Sequence, residues 1–168
     1  SFCIRKKGAM KHIITHWKQL EEFRHLSGKY LAVDTETGSD DKLLTVQVAW
    51  SPVDAMCIWV DKCDAEAIRI FLSNSPLVMH YGQHDVTELA KLGIRATVAF
   101  DTYAAARLLF YDKREGFGLK YLARTYLGME MKDLKDIAGE DYKTEDVDPA
   151  ILADYGMDDA LATYRLFT

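Results

Sequence analysis

The order of the apolar segments is the feature of this chain that most constrains its fold. Three segments with strand character follow one another, and two shorter ones then alternate with segments of helical periodicity. The predicted strands cover residues 30–37, 43–50, 55–60, 76–80 and 97–100. Strands in series followed by alternating strands and helices predict an α/β domain with a mixed sheet of about five strands.

Segments of helical periodicity flank these strands and close the chain. The predicted helices cover residues 16–26, 64–72, 85–92, 102–110, 119–127 and 149–168. Pro149 suits the first turn of the last helix, because the amide it lacks would have no partner there. That helix reaches Thr168 without a closing signal, so we expect the natural chain to continue.

The first residues follow no periodic pattern. Residues 1–12 are short, basic and begin with Ser1, so we predict a flexible lead followed by one domain over residues 13–168. A chain of 168 residues with 49% hydrophobic side chains is long enough to bury a real core. No apolar run is long enough to cross a bilayer, and no signal peptide is visible.

The cysteines and the charge bound the possible functions. Cys3, Cys57 and Cys63 are odd in number and form no CxxC pair, which favours a reduced, intracellular setting over a disulfide framework. The net charge of −5 argues against a broad electrostatic grip on duplex DNA. It does not argue against an enzyme whose carboxylates hold divalent cations, since the cations reverse the local sign.

Two carboxylates share one face of the first predicted strand. Asp34 and Glu36 are two residues apart in LAVDTET, and strand side chains alternate between faces. Neighbouring carboxylates repel each other, and a divalent cation with oxygen ligands removes the repulsion. The alternative is an exposed acid pair at the end of a strand, which a lone DxE pattern would favour.

Two further segments carry residues of the same chemistry. Tyr155 and Asp159 are four residues apart on the last predicted helix and therefore share a face, where a phenol and a carboxylate can hold a water. The alternative is a solvated acidic face. Asp85 follows an apolar strand and opens a predicted helix, where the alternative role is to cap the helix N-terminus.

Taken together, these segments resemble the DEDD exonuclease superfamily. Tyr155, rather than a histidine one place later, matches its tyrosine subgroup. LAVDTET, FGLKYLARTYLG, LKDIAGE and ILADYGMDDALATYRLF resemble the 3′–5′ proofreading exonuclease domain of family A DNA polymerases. The resemblance runs from about Tyr30 to the end of the chain and implies an RNase H-like mixed sheet flanked by helices.

The resemblance also implies the chemistry of each acidic segment. Asp34, Glu36 and Asp159 would bind a first Mg²⁺ or Mn²⁺ ion. Asp34 would bridge to a second ion, on which Asp85 would act through water. Tyr155 would orient the attacking water. Two such cations ~3.5–4 Å apart can stabilise both the entering and the leaving oxygen of an in-line displacement.

Two stretches depart from the family's pattern. Relatives often have an asparagine a few residues before the aspartate that matches Asp85. This chain has Gln83 or His84 in its place. Relatives also often have a leucine shortly after the DTET motif, and this leucine wedges under the terminal base. Here residues 38–42 separate DTET from Leu43. The candidate substrate contacts are Thr35, Gln83, His84 and Lys120.

The resemblance implies a DNA-directed enzyme, with alternatives that the acids alone cannot separate. We expect a metal-dependent 3′–5′ exonuclease that releases nucleoside monophosphates from the 3′ end of single-stranded DNA. We also expect a polymerase domain in the same chain, a monomeric state and no membrane association. The enzyme would belong to cytoplasmic, viral or organellar replication machinery. The alternatives are a related exoribonuclease that trims RNA ends, or a non-catalytic strand-binding module of the same fold.

Overall fold

A computed structural model describes residues 8–111 and 116–168 of the chain, together with the backbone of residues 2–6. The described strands are β1 (Phe2–Lys6), β2 (Ala9–Ile14), β3 (Leu31–Thr37), β4 (Leu43–Ala49), β5 (Asp54–Trp59), β6 (Leu77–Met79) and β7 (Val98–Asp101). They form one seven-stranded sheet in the order β1-β2-β5-β4-β3-β6-β7.

The sheet is mixed, as predicted, and β3 lies near its middle. β3 pairs antiparallel with β4 and parallel with β6. β4 and β5 form an antiparallel hairpin, while β2 runs parallel to β5. The carboxyl ends of β3, β6 and β7 therefore meet at one edge of the sheet, because all three strands are parallel to one another.

The first residues form strands where a flexible lead was predicted, and the described sheet has more strands than the five expected. β1 and β2 pair antiparallel with each other, and β2 extends the sheet beyond β5, so two strands join the five that were expected. Ser1 and Lys7, which also belong to the predicted lead, lie outside the described residues. β2 was not predicted because its segment is basic. Its Lys11 is buried against carboxylates near the C-terminal end of the chain.

Seven α-helices lie in the described ranges. They are α1 (Trp17–Glu21), α2 (Ala65–Ser73), α3 (Gln83–Lys91), α4 (Thr102–Leu109), α5 (Leu119–Leu127), α6 (Leu134–Ala138) and α7 (Pro149–Phe167). Among the described residues, no helix combines the length and the apolar character needed to span a membrane.

Two helices differ from their predicted forms, and one is new. α1 ends at Glu21, and the chain continues through a 3₁₀ turn over Arg24–Leu26. α3 begins at Gln83 with Gly82 as its N-cap residue, so the alternative role of Asp85 as a helix cap is wrong. The short α6 was not predicted.

The two faces of the sheet pack against different helices. Apolar side chains of α1, α2 and α3 form the larger core on one face, including Leu20, Ile68 and Leu89. α7 lies on the other face over small residues of the central strands, including Ala32 and Ala49. Small side chains let α7 lie close to β3 and β4, which brings its polar residues near the strand that carries the acid pair.

Candidate active site

β3 directs its two acidic side chains toward α7. Ala32 packs in the core beneath α7, whereas Val33 belongs to the opposite core. Because strand side chains alternate, Asp34 and Glu36 project on the α7 face. Asp34 lies opposite Gln47 of β4 in the sheet register, and the register shifts just after Glu36, before Thr37 pairs with Leu43.

α7 brings a third carboxylate to the acid pair. Asp148 caps the helix by accepting hydrogen bonds from two amides of its first turn. Tyr155 and Asp159 lie one turn apart farther along. One carboxylate oxygen from each of Asp34, Glu36 and Asp159 lies within 4.8 Å of the other two. The structure therefore unites acids that are more than 120 residues apart in the chain.

The acids of α7 do not form a single solvated face. Asp159 is only 7% exposed and turns toward β3, whereas Asp154 and Asp158 turn toward β2 and accept hydrogen bonds from Lys11. The alternative of a solvated acidic face is therefore wrong for Asp159.

Asp85 approaches the acid cluster from the other side of β3. It is buried near the start of α3, and its Oδ1 accepts a hydrogen bond of 2.7 Å from the Thr35 hydroxyl. Asp85 does not belong to the trio within 4.8 Å, but its charge helps to raise the pKa values of Asp34 and Glu36. The Thr35 hydroxyl thus holds Asp85 in place, and the predicted contact of Thr35 with substrate stays a prediction.

Lys120 of α5 lies between the phenol and the third carboxylate. Its Nζ donates a hydrogen bond of 2.8 Å to the Tyr155 hydroxyl and lies 3.4 Å from Oδ2 of Asp159. The same ammonium lies 3.4 Å from Oδ1 of Asp133 and 4.7 Å from the centre of the Tyr155 ring. Lys120 thus supplies positive charge at the point where the acids are most crowded.

Burial and crowding disfavour the ionised forms of all four acids. Burial, and then the charges of Asp159 and Glu36, raises the pKa of Asp34 well above its ordinary value. Burial and Asp159 also raise the pKa of Glu36 to about 8. Burial raises the pKa of Asp85 to about 6, and it raises that of Asp159 to about 6 against the opposing charge of Lys120.

The donor set fits a hard divalent cation. Every candidate ligand is a carboxylate oxygen, which Mg²⁺ and Mn²⁺ prefer over nitrogen or sulfur. Oδ1 of Asp159 is buried and, within residues 8–111 and 116–168, has no hydrogen-bond partner. An orphaned buried acceptor beside two other carboxylates is costly unless a cation completes its coordination.

The Tyr155 phenol stays protonated near neutral pH. Burial and the nearby Asp159 raise its pKa above the ordinary value. The same side chain lines a cavity of about 350 Å³ together with Asp159 and Lys132. A neutral hydroxyl at the wall of a cavity can orient a bound molecule, but it cannot take a proton from water because it stays protonated itself.

The remaining candidate substrate contacts lie at the rim. His84 is exposed, with Nε2 3.3 Å from the Thr37 hydroxyl, and Gln83 is exposed at the first position of α3. Their roles stay predictions. Both precede Asp85 by one or two residues.

Two residues near the site were missed by sequence reasoning. Gln47 is fully buried, and a Cβ atom on Gly156 of α7 would lie 2.6 Å from its Cδ and Nε2 atoms. Gly156 therefore gives Gln47 the space to lie beneath the helix, next to Tyr155. A glycine inside a helical pattern is the available signal, because such a residue often marks close packing. Nothing local marked its partner.

The sheet, the carboxylate cluster and the adjacent tyrosine define an exonuclease of the RNase H-like class. The chain belongs to the 3′–5′ exonuclease family of family A DNA polymerases, whose family model, described as 3′–5′ exonuclease, matches residues 11–168. The predicted family and enzyme class are thereby confirmed.

Known proteins support this assignment. DNA polymerase I of Aquifex aeolicus (strain VF5) is 27% identical over 142 residues, and the match covers 82% of this chain and 23% of that protein. The chain thus spans about a quarter of that relative. Brucella melitensis NrnC with bound Mg²⁺ has a TM-score of 0.68 at 21% identity, covering 94% of this chain and 77% of NrnC.

The catalytic core of RRP6 from Trypanosoma brucei (mutant C496S) has a TM-score of 0.73 at 15% identity. The comparison covers 98% of this chain and 47% of that one. At these identities the structural likeness concerns the fold, and it confirms the predicted RNase H-like α/β architecture.

Proposed function

We propose that this chain removes nucleotides one at a time from the 3′ end of single-stranded DNA, using two divalent cations, and releases nucleoside monophosphates. The observation that carries the proposal is the meeting of Asp34, Glu36 and Asp159 within 4.8 Å beside Tyr155. These residues come from separate elements, and their convergence leaves a buried, orphaned oxygen that suits a cation.

The acids have distinct roles in this proposal. Asp34, Glu36 and Asp159 would hold the first cation. Asp34 would also face the second, with Asp85 acting on it through water. When bound, two such cations supply electrostatic stabilisation of both the entering and the leaving oxygen of the phosphodiester. The hydrogen bond from Thr35 fixes the direction in which the Asp85 carboxylate points.

Tyr155 and Lys120 would act on the substrate side of the cluster. The protonated phenol would orient the attacking water, since its raised pKa keeps its hydrogen in place. Although burial opposes it, the charge of Asp159 and the hydrogen bond to Tyr155 raise the pKa of Lys120, so its ammonium stays charged. A fixed ammonium at this position would attract the phosphate backbone of the strand.

Two observations favour DNA as the substrate. The matching family is that of DNA polymerases, and the curated relative is a DNA polymerase I. That relationship also supports a proofreading role beside a polymerase domain in the same chain. A monomer suffices for it, because all the proposed catalytic groups come from one chain.

The test compares strand shortening on matched DNA and RNA oligonucleotides carrying a 5′ label, with Mn²⁺ or with EDTA. We expect a ladder of DNA products in Mn²⁺ and none in EDTA. Faster cleavage of RNA would redirect the proposal to an exoribonuclease. The absence of shortening with any divalent metal, despite Mn²⁺ binding, would leave a non-catalytic strand-binding module.

Tyrosine variants on α7 can distinguish a role in orienting the attacking water from a role in binding metal. Tyr155→Phe removes only the hydroxyl and should lower kcat roughly 100-fold through misplacement of the water, while Mn²⁺ affinity changes little. Tyr164→Phe is the matched control, because Tyr164 lies on the same helix and packs against Phe167. Equal rates for the two variants would remove Tyr155 from the proposed mechanism.

A further inference from the structure

Lys11 is buried in β2 beneath α7. Its side chain is 3% exposed, and its Nζ lies 2.6 Å from Oδ1 of Asp154 and 2.7 Å from Oδ1 of Asp158. The same ammonium also donates to the backbone carbonyl of Asp154 at 3.3 Å. Lys11 is therefore tied to two consecutive turns of α7 across more than 140 residues of sequence.

The two acids that bind Lys11 immediately precede the two α7 residues of the candidate active site. Asp154 precedes Tyr155, and Asp158 precedes Asp159. Residues at i and i+4 share one face of a helix, so the Lys11 pair and the active-site pair form two adjacent stripes. The rotation of α7 about its axis that satisfies Lys11 also fixes where Tyr155 and Asp159 point.

The geometry makes this rotation consequential. Side-chain ends lie roughly 5–6 Å from a helix axis, so a rotation of about 10° displaces a terminal oxygen by about 1 Å. A displacement of that size at a catalytic group can lower the rate roughly 100-fold. Gly156 allows the sheet-facing side of α7 to pack directly on Gln47. Lys11 binds the adjacent side of the helix.

We propose that Lys11 is a positioning residue for the exonuclease reaction, because it sets the rotation of α7 and thereby the placement of Tyr155 and Asp159. The inference rests on the proposed function. Lys11 touches neither cation nor substrate in this scheme and acts only through Asp154 and Asp158.

A purely electrostatic role would have a different signature. Asp154 and Asp158 line the same cavity as Tyr155 and Asp159, so Lys11 also neutralises charge beside the place where a phosphodiester would bind. The double variant Lys11→Met with Asp158→Asn has the same net charge in this cluster as the wild type, but it lacks the tether. It should remain impaired if position matters and recover if only charge matters.

The experiment uses the 168-residue chain and measures Mn²⁺ affinity by calorimetry, together with kcat and KM on labelled single-stranded DNA. Relative to the wild type, Lys11→Met and its charge-matched double variant should bind Mn²⁺ roughly 10–100-fold more weakly. Both should lose roughly 100-fold in kcat, with a smaller change in KM.

The matched control is Lys91→Met. Lys91 also bridges two carboxylates, Glu88 at 2.8 Å and Asp41 at 2.9 Å, and neither partner belongs to α7. Circular dichroism sets a temperature at which every variant is folded. Any of three results would overturn the proposal. These are wild-type Mn²⁺ affinity and kcat in Lys11→Met, equal losses in Lys91→Met, and recovery of both quantities in the charge-matched double variant.

If Lys11→Met does not fold, Asp158→Asn carries the test. Asp158 is 47% exposed, so its replacement removes one tether from a tolerant position. Glu130→Gln is its charge control, since Glu130 lines the same cavity without contacting Lys11. Asp158→Asn should weaken Mn²⁺ binding several-fold more than Glu130→Gln, and equal effects would refute the tether. Failure of the wild type to bind Mn²⁺ would instead refute the proposed function.

Discussion

Replacing Asp34 with asparagine should abolish DNA cleavage while stabilising the metal-free protein. Asparagine keeps the shape of the side chain and removes its negative charge. In the wild type at pH 8, folding requires Asp34 either to take up a proton that it lacks in the unfolded chain, or to stay charged beside Glu36 and Asp159. Burial and those neighbours raise the pKa of Asp34 well above its ordinary value, and the amide removes this cost.

The expected gain follows from the size of the pKa change. Each unit by which folding raises the pKa of a carboxyl costs the folded protein about 1.4 kcal/mol of free energy, and the amide avoids this cost. Loss of the contacts that the carboxylate makes in its protonated form reduces the net gain to about 2 kcal/mol. For a chain of this size, the melting temperature should rise by roughly 4–8 °C.

The pH dependence of the wild type should carry the same sign. The pKa of Glu36 is raised by burial to about 8 in the folded protein, from an ordinary value of 4.5. Between these values the folded protein binds more protons than the unfolded chain, so metal-free stability should fall as pH rises from 6.5 to 8. Burial lowers the pKa values of His12 and His80 below 6.5, so they contribute little in this window.

Thermal unfolding in EDTA at pH 6.5 and 8, repeated with Mn²⁺, measures both effects. Mn²⁺ should stabilise the wild type, with the larger gain at pH 8, and should barely affect Asp34→Asn. Glu66→Gln is the control, because it removes one negative charge from an exposed site paired with Arg69. The reasoning is refuted if Asp34→Asn melts below the wild type in EDTA at pH 8, or if Glu66→Gln gives an equal rise.

Two further substitutions test how the structure supports the site. Gly156→Ala should lower the free energy of unfolding by about 1–3 kcal/mol, because the new Cβ would lie 2.6 Å from Gln47, and Gln47→Ala in the same chain should restore most of it in urea titrations. Thr35→Val should raise the Mn²⁺ concentration for half-maximal cleavage roughly tenfold, since Asp85 loses its 2.7 Å hydrogen bond; an unchanged metal response would exclude that role.

The faces on which the acids lie could be predicted because their spacings are local, whereas their meeting in one cluster was implied by the family resemblance. The interval of two residues between Asp34 and Glu36 gives one face on a strand, and the interval of four between Tyr155 and Asp159 gives one face on a helix. The predicted strands and most helices agree with the structure for the same reason. What those intervals could not supply was the packing of the two faces against each other.

The tertiary contacts that support the cluster have no comparable local signal. The fold places the Thr35 hydroxyl against Asp85, which is 50 residues away. Gln47 beneath Gly156 depends in the same way on the exact seating of α7. In each case the residue is ordinary in its own segment, and its role arises from a neighbour brought close by folding.

The sequence by itself determined the family, the mixed α/β architecture and the faces on which the acids lie, because periodicity and residue order are properties of short segments. Only the tertiary structure decided that the first residues form strands, and that Lys11 lies buried between Asp154 and Asp158. A lysine in a basic leading segment is predicted to be solvated, because burying its charge is costly without partners. Its partners lie more than 140 residues away, so they become visible only when α7 packs across the sheet.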